Sequence, residues 1–224
     1  MSARVVARAL ALIAALGWGG SAALAQTPPA GQAAPPREAP YVADLAELNA
    51  PGPLPENVLG NPAAPVTIVE YASLTCPHCA TFHNVTLPFL KKDYIDTGRV
   101  RLIFRDFPFD MVAMAGTMLS RCAPAEQFFA ITEDLFRNQE AWAFSNDPEK
   151  PLKELAFRHG FTQESFDACL QRQEIYDGVL AVRQRAHETF RVDSTPTLFV
   201  NGVMYRGALT PAQIEAAIKP HLDK

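Results

Sequence analysis

The apolar positions change period twice along this chain. Residues 66–72, Val-Thr-Ile-Val-Glu-Tyr-Ala, are rich in β-branched and aromatic side chains and read as a buried strand. A helix follows, carrying Phe82, Val85 and Leu87 to about Leu90, with Thr75 placed to cap it and Pro88 to end or kink it. Gly98 precedes a second strand at 100–104. Strand, helix, strand favours a parallel pair with a right-handed crossover. The period then stays helical. Phe128, Ile131, Leu135 and Phe136 share one face of 125–138. Asp147-Pro148 opens a helix that Gly160 closes. A short helix is expected at 162–170. A long one is expected at 174–190, with Ile175, Val179, Val182, Ala186 and Phe190 in register. Strand patterning returns at 197–200 and 203–205, flanking the hairpin signal Asn201-Gly202. Thr210-Pro-Ala-Gln213 is a capping box with Pro at the first helical position, stapled by Leu209 and Ile214. That last helix is expected to run to about Lys219, before Pro220.

This order predicts one α/β domain. An all-helical insertion, 111–187, separates a β-α-β half from a β-β-α half, 54–110 and 188–224. The ends have a different character. Arg4 and Arg8, an apolar run from 9 to 16 and the small-residue pattern Ala23-Leu24-Ala25 have the order of an export signal, with cleavage after Ala25. An uncleaved anchor is the alternative; the run is short and rich in Ala and Gly for a membrane span. Residues 26–65 hold ten of the 19 prolines, and 26–53 reads as a Pro/Ala-rich tether. Without residues 1–25 the chain keeps 18 basic against 24 acidic residues, a net charge of −6, and no Lys/Arg cluster. Nucleic acid is therefore not expected as a partner.

Four cysteines in an exported chain point to disulfide chemistry, because compartments outside the cytoplasm are oxidising. Cys76-Pro77-His78-Cys79 stands between a buried strand and a helix, where a C-x-x-C is a redox dithiol signal. Two intervening residues let both sulfurs meet across the first helical turn. The first sulfur then lies at the helix N-terminus, where unpaired N–H groups and the dipole stabilise a thiolate. His78 adds a donor, and positive charge when protonated. Stabilising the reduced form makes the disulfide a stronger oxidant. The competing readings are a zinc site, which lacks a second close ligand pair, and an inert bridge, whose loop is too short to add much stability. Glu70 has the strand parity of Val66 and Ile68; it lies either on a buried face, with a raised pKa, or on an exposed edge.

Three segments together resemble the DsbA family of periplasmic thiol oxidases. They are residues 70–82 around Cys-Pro-His-Cys, Arg105-Asp-Phe-Pro108, and residues 193–202 with Thr195-Pro196. The resemblance spans about 54–222 and implies a thioredoxin-like fold with a helical insertion. It also implies a low-pKa, oxidising cysteine, a property of that family. By that resemblance Cys76 is the attacking thiol and Cys79 the resolving one. Pro196 follows a cis bond from Thr195, packs against the disulfide, opens the Thr195 backbone to an extended substrate and keeps metal from the sulfurs. Glu70 is the family's buried acid, able to relay the Cys79 proton. Cys122 and Cys169, 47 residues apart, match a second pair found in part of the family; a structural bridge, a regulatory redox pair and two buried free thiols all stay open.

The resemblance implies oxidation of reduced, unfolded exported proteins in the periplasm, by a monomer needing no organic cofactor or metal. It also implies reoxidation by a membrane partner of the DsbB type. Alternatives are an isomerase or reductase, and a redox-silent chaperone module. The tether is too short to be a dimerisation domain, which an isomerase would need. His83, His159 and His187 are expected to be solvated. Trp142 and the phenylalanines of the insertion are expected in the core. Phe107-Pro108-Phe109 is expected to pack rather than to line a substrate groove.

Overall fold

The computed structural model describes residues 40–222. Five strands form one sheet in the order β1-β3-β2-β4-β5. β2 (Val66–Ala72) is central, parallel to β3 (Val100–Asp106) on one side and antiparallel to β4 (Thr197–Val200) on the other. Both faces of β2 are covered, so its apolar run does not alternate with polar residues. β3 runs two residues past the expected end at Phe104. β4 turns through Asn201 and Gly202, both at positive φ, into β5 (Val203–Arg206), as the Asn-Gly pair predicts. Asn201 also accepts from Thr67 N at 2.8 Å, which fixes the hairpin to β2. The short strand β1 (Asn57–Leu59), antiparallel to β3, was not anticipated; it sits among prolines.

The helix after β2 does not stop at Pro88. α2 (Pro77–Thr81) passes through a π-helical stretch, Phe82–Thr86, into α3 (Leu87–Leu90) and a second such stretch, Lys91–Ile95. Leu87 N bonds Phe82 O, five residues back; the widened turn lets Pro88, which has no N–H, continue the helix with a change of pitch. The insertion comprises α4 (Met111–Cys122), α5 (Phe128–Arg137), α6 (Gln139–Ala143), α7 (Glu149–Arg158), α8 (Gln163–Leu170) and α9 (Gln173–Phe190). Trp142 is fully buried, and its ring N–H donates to Leu135 O at 2.8 Å. The insertion shares one core with the sheet: Ala72, Leu74, Cys79 and Phe104 pack with Met118, Phe128, Phe136 and Trp142. The dithiol segment lies at that junction. α10 (Pro211–Leu222) packs Ile214 and Ile218 on Val66, Ile68 and Leu198. It continues through Pro220, contrary to the expected end at Lys219, because an exposed proline in the last turn forfeits only one N–H bond.

Part of the stretch read as a tether belongs to the domain. Ala43 N donates to Gly202 O and Met204 N to Tyr41 O, both at 2.9 Å, so residues 41–43 line the edge at β5. A short helix, α1 (Leu45–Asn49), buries Leu48. The Arg185 guanidinium on α9 then donates to the carbonyls of Glu47, Ala50 and Pro51. Backbone bonds to the sheet edge and to Arg185 supply what the sparse apolar content lacks. Residues 1–39, with the expected export signal and the first half of the tether, lie outside the described residues. Among the described residues no helix is long and apolar enough to cross a membrane.

Candidate active site

Cys76 is the N-cap of α2, the role expected of Thr75; Thr75 instead donates to Asp110 Oδ2 at 2.8 Å. Cys76 Sγ accepts from Cys79 N at 3.4 Å and lies 3.4 Å from Thr195 O, to which it donates as a thiol. It is half-buried, whereas Cys79 is fully buried. These surroundings drive the two thiols apart. Cys76 is lowered to about 5, first by the bond from the Cys79 thiol. Burial opposes the shift; the Thr195 side chain and the backbone N–H groups of Cys79 and His78 add to it. Cys79 is raised well above an ordinary thiol, first by burial, then by its bond to Cys76 and the charges of Cys76 and Glu70. His78 thus acts on Cys76 through its backbone; its side chain is exposed.

Thr195–Pro196 is cis, as the resemblance implied. Its loop is tied down: Thr197 Oγ1 donates to Ser194 O at 2.7 Å and Gly207 N to Pro196 O at 2.8 Å. Glu70 is fully buried, which resolves the parity question. Its carboxylate faces His83, with Nε2 at 3.0 and 3.2 Å from the two oxygens. His83 was expected to be solvated, yet it is buried between the helix and the insertion. The spacing from Cys79, one helical turn, places the two on one face but does not by itself bury that face. His159 is partly buried and pairs with Asp134 at 3.0 Å; His187 is exposed, as expected, with Nδ1 3.1 Å from Val192 O. Gln139 was missed altogether. Its buried amide donates to Leu74 O at 2.7 Å and Cys76 O at 3.1 Å, so α6 holds the segment carrying the dithiol.

Cys122 and Cys169 are bonded to each other, with Cα atoms 5.9 Å apart, and tie α4 to α8. Phe107 is buried as expected. Phe109 is half exposed, and with Leu180 and Arg183 it borders a surface cleft.

The thioredoxin family model matches residues 54–220. The crystal structure of alpha-DsbA1 from Wolbachia pipientis is 30% identical and superposes with a TM-score of 0.74. The match covers 80% of this chain and 96% of that one. The chain belongs to the DsbA-like branch of the thioredoxin family. The sheet, with its helical insertion between β3 and β4, is the DsbA-like fold. A Rickettsia typhi protein provisionally named a protein-disulfide oxidoreductase is 33% identical to this DsbA-like chain over 65% of its length. A Bacillus cereus relative, provisionally named disulfide bond formation protein D, is 31% identical over 64% of this chain and 69% of its own. The match spans about half of the Rickettsia protein, 54%.

Proposed function

We propose that this chain is an exported thiol–disulfide oxidoreductase that oxidises reduced, unfolded proteins in the periplasm. The observation that carries the reading is the opposition of the two sulfurs, one half-buried with its pKa at about 5 and one buried with its pKa raised. A stabilised Cys76 thiolate is a good leaving group and favours the reduced protein, so the disulfide tends to pass to the substrate. A substrate thiolate attacks Cys76, the Cys76–Cys79 bond breaks, and Cys79 leaves. A second substrate thiolate then attacks the substrate sulfur and expels Cys76 as thiolate. Pro77 and His78 shape the first turn of α2, and the Thr195 carbonyl and Pro196 border the substrate's approach. Glu70 exchanges the Cys79 proton. Cys122–Cys169 serves as a structural bridge. Residues 1–25 direct export, the protein acts as a monomer, and a membrane oxidase of the DsbB type restores the disulfide. The relatives' names support the chemistry.

The test is equilibration with glutathione, together with oxidative folding of a reduced substrate. The expected potential is more positive than about −180 mV, the range of the isomerases. A value near about −270 mV, where thioredoxin lies, with no substrate oxidation, would overturn the reading.

A further inference from the structure

Cys79, Glu70 and His83 are all buried, and the Glu70 charge acts on Cys79. Cys79 and His83 stand four residues apart on the helix after β2, so they share a face. Glu70 comes from β2, and both its side chain and that of His83 are fully inaccessible. The imidazole is wedged among aromatic rings. Phe136 stacks on it at 4.2 Å, and Phe104 and Phe82 meet it edge-on at 5.6 and 5.8 Å. Nε2 is bonded to the Glu70 carboxylate, whereas Nδ1 is buried with no hydrogen-bond partner among the described residues. An unpaired buried nitrogen costs about 1–3 kcal/mol, so its retention asks for a reason. Thr132, one turn before Phe136 on α5, carries a second unpaired buried polar atom. His83 also lines a surface cleft of about 400 Å³ with Lys91, Glu133 and Arg137 among its walls. That cleft opens roughly two turns along the helix from Cys76.

We propose that His83 is the relay through which the Glu70 carboxyl exchanges protons with solvent by way of this cleft. It is a positioning and proton-passing residue acting through Glu70, and the inference rests on the thiol–disulfide exchange proposed above. Cys79 gains and loses a proton inside the core, while a substrate covering Cys76 shuts off water from that side. When the Cys76–Cys79 bond breaks, its electron pair stays on Cys79 Sγ. A water entering from the cleft gives a proton to His83 at Nδ1, Nε2 passes its proton to the Glu70 carboxylate, and Glu70 passes it on to Cys79 Sγ. One proton enters for each disulfide opened, and the reverse path releases it on reoxidation. The titratable groups around His83 are Glu70 on β2, Cys79 on α2, and Lys91, Glu133 and Arg137 at the cleft; Phe104 on β3 and Phe136 on α5 contribute none.

His83→Gln keeps a polar group beside Glu70 but cannot pass a proton on. The measurement is the rate of exchange of the Cys76–Cys79 disulfide with glutathione across pH. The expected result is a slowing of about tenfold or more, with loss of an inflection in the pH profile, since positioned proton transfer is worth 10²–10⁴-fold. The Cys76 titration midpoint should stay in place. Adding His83→Gln to Glu70→Gln should slow exchange no further, because the two act in series. Wild-type rate and pH profile in His83→Gln would overturn the proposal. If that variant melts early, imidazole added to His83→Ala decides: acceleration supports the relay, and no acceleration overturns it. Glutathione exchange does not depend on the physiological direction. A protein that exchanges with glutathione but fails to oxidise a peptide sinks the oxidase reading and leaves this test intact.

Discussion

Two sulfurs three residues apart meet opposite surroundings, and this sets a pH signature. The Cys76 thiolate is stable in the folded reduced protein down to about pH 5. An unfolded thiol ionises near about 8.5. The sign follows: a lowered pKa contributes stability that is complete above the unfolded value and lost as pH falls through the folded one. The disulfide form has no such contribution. The melting temperature of the reduced form, measured against the oxidised form, should therefore rise between about pH 5 and 8.5. Thermal melts of both forms across that range check it, and a constant gap counts against it. The residues of the dithiol were legible because spacing alone puts two sulfurs on one helical turn. His83 and Gln139 were not, because a lone His or Gln on a helix has no period that distinguishes a buried partner from a solvated one. Only the tertiary contact of β2 with the helix, and of α6 with the Cys76 segment, decides their burial.

Periodicity carried the long, one-sided elements, and boundaries failed where local chemistry and packing disagreed. Pro88 read as a stop or a kink and Pro220 as a stop, yet a π-helical turn absorbs the first and a last-turn position tolerates the second. β1 and the 40–53 segment were hidden by their prolines, since what holds them is backbone pairing and Arg185 rather than an apolar pattern. Leu54, at the end of this segment, packs closely against α9. A methyl group built on Gly178 would lie 2.5 Å from Leu54 Cδ2. Gly178→Ala should therefore push the segment away despite its better helix propensity, with a net loss of about 1–3 kcal/mol. Denaturant unfolding measures the loss. Faster proteolysis within 40–53, with an unchanged Cys76 titration, would place the damage in the strap; a gain in stability would show that Leu54 moves aside freely.

At the scale of the whole molecule, sheet and insertion share one core, and the Cys122–Cys169 bridge closes a loop of 47 residues within the insertion. Loop-closure entropy for that length corresponds to about 3–4 kcal/mol. Replacing both cysteines by Ala should lower stability by that order, read as a shift in denaturant midpoint with the dithiol potential unchanged. A large change in potential would instead make the pair part of the redox chemistry. The strap at the margin of the sheet has another consequence. β5 would otherwise present a row of unpaired N–H and C=O groups, a template onto which any extended chain can add itself as a further strand. An oxidase of unfolded proteins would spend its working life among such chains. With residues 41–43 paired along that margin, an unfolded client of the kind proposed above would find those β5 groups already taken, which disfavours joint aggregation at this edge.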